Sequence, residues 1–134
     1  MLDPQGALIY TMVIVSAADS DMTDSELATI GDIVGHLPVF RDFDQAALPG
    51  LLSECTALLS RVDGLDEAFA AIKAALPAKL RETAYAVACD IVAADGEATQ
   101  EELRVLEMMC QRLHIDRLVA AAIERGTRAR FQML

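Results

Sequence analysis

Apolar residues recur along this chain at helical rather than strand spacing. Leu27, Ile30, Val34 and Leu37 form one stripe, and Leu103, Leu106, Cys110 and Leu113 form a second. A third series, Leu48, Leu51, Leu52, Cys55, Leu58, Leu59 and Val62, has Pro49 in its first turn, where a missing N–H is tolerated. A shorter pattern over about 66–76 follows Asp63-Gly64 and stops at Pro77, and a last one starts near Asp116 and runs to about Arg128. Two segments are apolar on several sides. ALIYTMVIVSAA at 7–18 is rich in β-branched residues and taken alone would suit a buried strand. AKLRETAYAVACDIVAAD at 78–95 opens after Pro77 and is too long and Ala-rich for one. Both are expected to be helices, over about 6–18 and 78–94, forming a buried central pair. The pattern predicts an all-α domain of about seven helices.

The chain also repeats itself. At a constant offset of 76, Ala17/Ala93, Ala18/Ala94, Asp19/Asp95, Thr23/Thr99, Glu26/Glu102, Leu27/Leu103 and Leu37/Leu113 are identical, seven matches in 21 ungapped positions. The matches fall on a short acidic bend and the first turn of the helix after it. Thr23-Asp24-Ser25-Glu26 and Thr99-Gln100-Glu101-Glu102 each read as a capping box, with Thr as N-cap and Glu reaching back from the third helical position. The repeat is what decides for a helix at 7–18, since its counterpart is one. It predicts a single domain over 1–134 built from two helix–acidic bend–helix copies, at about 7–40 and 78–116, in a pseudo-two-fold bundle.

Composition narrows the function. Hydrophobic residues make up 54% of the chain but aromatics only 4%, which suits packed helices better than a β-sandwich. A net charge of −10 argues against nucleic-acid binding, which needs a basic face for phosphates. The charge is unevenly placed: no Lys or Arg precedes Arg41, whereas Arg104, Arg112, Arg117, Arg125, Arg128 and Arg130 crowd the end. That basic helix is expected to be a solvated face, to lie over the acidic N-terminal part, or to meet a partner. Cys55, Cys89 and Cys110 are odd in number and contain no CxxC, a pattern of reduced thiols in a cytoplasmic protein. The apolar run at 7–18 is too short to span a bilayer and lacks the basic flank of a signal peptide.

The candidate chemistry lies in the acidic bends. Asp19, Asp21, Asp24 and Glu26 fall within eight residues, as do Asp95, Glu97, Glu101 and Glu102. Crowded carboxylates repel one another unless a cation or basic side chain neutralises them, and hard oxygen ligands suit Ca²⁺ or another divalent ion. Neither bend is an EF-hand, because its first and third ligand positions would fall on Ile91 and Ala93, or on Val15 and Ala17. The same acids have an architectural reading: Glu26 and Glu102 complete capping boxes, and Asp19 and Asp95 can accept backbone N–H bonds at a helix start. Asp21, Asp24, Glu97 and Glu101 are surplus to that need.

Nothing else in the chain forms a catalytic pattern. His36 and His114 occupy non-equivalent positions and read as helix-end residues, and no Gly-rich phosphate loop or nucleophile elbow is present. Asp24-Ser25 resembles the arm-bearing D-S-L motif of acyl carrier proteins, but Glu26 interrupts it. The leading expectation is a binding module rather than an enzyme. Two alternatives are a thiol-dependent enzyme or redox protein acting on an oxyanion through Cys89 or Cys110, and a purely structural interaction domain.

The motif A-A-D-G-E-x-T-x-E-E-L at 93–103, its degenerate twin at 17–27 and the 76-residue spacing together resemble the tellurite-resistance TerB-like family, over about residues 7–128. The resemblance implies a seven-helix, pseudo-symmetric domain of bacterial stress-response systems. It further implies a cytoplasmic protein, peripheral at the inner membrane, that docks a protein partner in a complex there and has no membrane span of its own; a homodimer is a candidate assembly. The family's acidic motif falls on Asp95, Glu97 and Glu102, with Asp19, Asp21 and Glu26 as counterparts, which makes these six the candidate metal ligands. Ser20 departs from the glycine of the motif.

Overall fold

The computed structural model describes residues 2–18, 22–94 and 96–134. Among them are seven α-helices and no strand: α1 (Pro4–Ser16), α2 (Asp24–His36), α3 (Leu48–Leu59), α4 (Gly64–Ala75), α5 (Arg81–Ala94), α6 (Gln100–Arg112) and α7 (Arg117–Arg130). Short 3₁₀ turns at Pro38–Phe40, Gln45–Ala47 and Ala78–Leu80 link or precede helices. The last of these trims the helix expected from 78, so α5 proper starts at Arg81.

The two helices that are apolar on all sides form the centre. Every residue of α1 from Gly6 to Ser16 is buried, which is why its β-branched content does not matter: a helix enclosed all round needs bulk rather than an amphipathic stripe. Asp3 caps it, accepting the Gly6 N–H at 2.7 Å, and Pro4 opens its first turn. The chief neighbour of α1 is α5, whose Ala84, Val87, Ala88 and Ile91 are buried with it, and α3 and α4 cover another side. One glycine lets α3 and α4 meet closely. A Cβ on Gly64 would stand 2.0 Å from the Leu58 carbonyl oxygen, so only glycine fits that hairpin. Arg112 ties α6 to α4, its guanidinium lying 5.4 Å from the Phe69 ring centroid and 2.5 Å from Asp66 Oδ1.

The outer helices differ from the expected stripes in one instructive way. Ile30, Val34, Leu106 and Leu113 are buried, but Leu27 is 38% exposed and Leu103 46% exposed. Glu26 and Glu102 are the buried residues instead, at 3% and 2%. Each glutamate folds back onto its N-cap, and that inward turn carries the following leucine outward by about 100° of helix rotation. The basic C-terminal helix α7 packs on α5, not over the acidic face of α2.

Candidate functional site

Both bends end in the same device. Thr23 Oγ1 accepts the Glu26 N–H at 3.1 Å, while Glu26 Oε1 accepts the Thr23 N–H at 2.8 Å. In the second copy, Thr99 Oγ1 accepts the Glu102 N–H at 3.1 Å and Glu102 Oε1 accepts the Thr99 N–H at 2.9 Å. The N-caps have nearly the same backbone, φ −82° and ψ 162° at Thr23, φ −79° and ψ 162° at Thr99. Two orphan donors are thus satisfied at each helix start, and the macrodipole favours the negative side chain there. Glu26 and Glu102 each hold a helix start.

Three of the six candidate ligands, Asp19, Asp21 and Asp95, lie outside the described residues. So does Ser20, where the first copy departs from the motif glycine. The second bend does use that glycine: Gly96 has φ +84° and its N–H reaches the Ala93 carbonyl at 3.1 Å. A left-handed residue here turns the chain out of α5 and into the approach to Thr99. Glu97, Asp24 and Glu101 are exposed beside the two capping boxes. Among the described residues, no three His, Cys, Asp or Glu side chains stand together as an ion would need. At the end of α1, three residues before Asp19, the fully buried Ser16 Oγ has no hydrogen-bond partner among the described residues.

The thiols are elsewhere, and their surroundings work against reactivity. Cys55 lies under α1 with its Sγ 3.9 Å from the Tyr10 carbonyl, and burial pushes its pKa up to about 12. Cys89 is likewise pushed to about 12 by burial, and burial also raises Cys110. Both approach the Tyr85 hydroxyl, which donates to Glu124 Oε2 and is itself raised, first by burial and then by that carboxylate. A thiol nucleophile or soft-metal ligand acts as thiolate, and this environment holds all three cysteines protonated. Sequence reasoning found the cysteines on apolar stripes but missed the Tyr85–Glu124 bond. It joins α5 to α7 across 39 positions, a pairing no local pattern encodes.

The histidines are helix-end residues, as their positions suggest. His36 Nδ1 lies 2.7 Å from the Asp32 carbonyl one turn back. His114 has φ +55° just after α6, with its N–H on Gln111 and the Ile115 N–H on Cys110, the two bonds of a Schellman C-cap.

The family model described as Tellurite resistance protein TerB matches residues 5–125, nearly the whole chain. The chain belongs to the TerB family. No curated protein matches it significantly, and neither does any solved structure. Among the described residues of this TerB-family domain, no helix is long and apolar enough to cross a membrane.

Proposed function

We propose that this TerB-family chain is a non-catalytic binding or adaptor module of a tellurite-resistance or related stress system. Its two acidic bends engage a divalent cation, Ca²⁺ in the first instance, and with it a basic surface of a protein partner. The observation that carries the reading is the division of labour at each bend. One glutamate, Glu26 or Glu102, satisfies the helix start. Further acids stand beside it that the cap does not use, Asp24 at the first bend and Glu97 and Glu101 at the second. Asp19, Asp21 and Asp95 complete the set. Carboxylates not used by a cap are free to supply the hard oxygen ligands that a divalent cation prefers. The setting we infer is the cytoplasm, with peripheral attachment to an integral inner-membrane partner.

Calorimetric titration of Ca²⁺, Mg²⁺ and Mn²⁺ into the wild type and Asp95→Ala tests the cation half. Binding heat in the wild type, reduced in the variant, supports it. No heat and no change of melting temperature with any of the three ions removes it. The protein would then be an interaction domain whose aspartates only end helices.

A further inference from the structure

A second surface stands apart from the acidic bends. α7 packs on α5 and appreciably on no other helix, although only four residues join it to α6. Between α6 and α7, over α5, lies an open groove of about 900 Å³. α5 contributes Tyr85, Cys89 and Val92 to it, at i, i+4 and i+7, and α6 contributes Leu103, Leu106 and Cys110, at i, i+3 and i+7. Three helices thus border one empty position, the fourth corner of a four-helix bundle. Leu103, Phe131 and Met133 line the groove while 46%, 41% and 82% exposed. Large apolar side chains gathered in the open mark an interaction surface.

Area and charge both bear on what covers it. A folded monomer of 14.4 kDa exposes about 6,800 Å² by the usual scaling with mass. This chain exposes 7905 Å², a surplus of about 1,100 Å², and each partner of a standard dimer buries about 800 Å². The charges lining the groove are balanced, Glu107 and Glu124 against Arg117 and Arg128. Glu124 accepts from the Tyr85 hydroxyl and keeps its negative charge, and among the described residues no acidic side chain pairs with Arg128. Such a lining favours neither an acidic nor a basic partner. On a chain of net charge −10, it is where two copies approach one another at least electrostatic cost. A patch carrying both signs can also complement itself across a two-fold axis.

We propose that the groove is a homodimer interface, in which α7 of one copy lies antiparallel beside α7 of the other and fills the open corner over its α5. Arg117, Ala121, Glu124, Arg128 and Phe131 all line the groove and fall within about 80° of one side of α7, at 100° per residue. Charge restricts how this stripe meets its own copy. Centred between Ala122 and Ile123, it sets Arg117 against Arg128. Centred on Glu124, it sets that carboxylate against itself. Two centres pair opposite charges. The one between Ala120 and Ala121 faces Arg117 with Glu124 but leaves Arg128 and Phe131 beyond the overlap. The one at Gly126 faces Glu124 with Arg128 at two symmetric contacts and lays Phe131 on the small Ala121. The second engages more of the stripe and is the register of the dimer.

Sedimentation velocity on the full chain tests this, with chelator present so that the cation reading is kept apart. The wild type is expected to pass from 14.4 kDa to twice that mass with a dissociation constant on the order of 10 μM. Arg128→Glu and Glu124→Arg each set like charges together at both contacts and weaken the dimer by about tenfold or more. Mixed one to one, the two variants restore it, because one contact is then the native pair and the other is the same pair reversed. Ala121→Trp blocks the seat of Phe131 and weakens the dimer likewise. Tyr85→Phe removes the bond to Glu124 with every charge in place and leaves the dimer unaltered. All three α7 positions are exposed, and melting temperatures verify the fold. Arg128→Glu breaks no ion pair within its own chain, so it carries the test even if Glu124→Arg melts early.

A monomer up to on the order of 1 mM, the weak limit for a specific contact, overturns the proposal. If that monomer binds 11-(dansylamino)undecanoate saturably, the groove belongs to a small amphiphile instead. A dimer indifferent to Arg128→Glu overturns it too, as does a mixture no tighter than its parts. So does complementation of Glu124→Arg by Arg117→Glu in place of Arg128→Glu, which moves the contact to the other register.

Discussion

Replacing Thr99 by Ala removes the acceptor of the Glu102 N–H and nothing else of size. The lost bond is 3.1 Å long, at a helix start whose partner glutamate is 2% exposed. Loss of a threonine N-cap costs about 0.5–2 kcal/mol, and the half-buried setting of Thr99 puts this case near the middle of that range. Unfolding entropy scales at about 2.1 cal/mol/K per residue, so for 134 residues each kcal/mol moves the melting temperature by about 3–4 °C. The expected fall is therefore about 4–5 °C. Thr23→Ala breaks the equivalent bond, but Thr23 is exposed and water can take over its acceptor role, so the fall there is smaller. Thr→Ser at either position retains the bond and most of the stability. The assay is urea unfolding followed by circular dichroism, with the slope unchanged and only the midpoint moved. A loss below about 0.3 kcal/mol at Thr99, or a greater loss at Thr23, would refute the idea that the capping boxes hold these bends.

Three further outcomes follow from other parts of the fold. Asp90 has its pKa raised by burial, against which the Arg130 ion pair works only in part, so the folded state holds this proton more tightly than the unfolded one. Its contribution is favourable below the unfolded aspartate pKa and is lost as pH rises through the folded value. Asp90→Asn should accordingly flatten the decline in stability as pH rises past the ordinary aspartate range and cost little at pH 7, as melting curves across pH would show; a large loss at pH 7 contradicts it. Iodoacetamide at pH 7.5, followed by mass spectrometry, should label half-buried Cys110 before Cys55 and Cys89, which react only on unfolding. Rapid labelling of Cys89 in the folded protein would revive a thiol-based activity. Gly64→Ala must push α3 from α4 because the new Cβ meets backbone, and an unfolding free energy lowered by about 1–3 kcal/mol is expected; an unchanged one would mean the hairpin is looser than it looks.

Much of this fold was legible because its signals are local. T-x-x-E before an apolar run names a helix start whatever the rest of the chain does, and both instances fold as capping boxes. The helical identity of α1 was legible only through its counterpart, since a helix buried all round has no period to read. Leu27 and Leu103 went astray because periodicity alone assumes that leucine faces inward. Here the buried glutamate sets the rotation, and both leucines are left exposed in consequence. The groove over α5 was illegible for a different reason. Each of its three stripes reads as ordinary core, and only their arrangement shows that one corner is open. Tyr85 and Glu124 belong to the same class of long-range facts. At the acidic bends the sequence remains the fuller source, because Asp19, Asp21 and Asp95 lie outside the described residues.

The central claim is that the acids beyond the capping glutamates hold a cation. Its most direct measurement is calorimetry of Ca²⁺ against three proteins: the wild type, Asp95→Ala, and Glu97→Gln with Glu101→Gln. Saturable heat in the wild type, weakened in both variants while their melting temperatures without the ion match the wild type, is the predicted result. Equal heats in all three, or none in any, would contradict it and leave the acidic bends as helix starts alone.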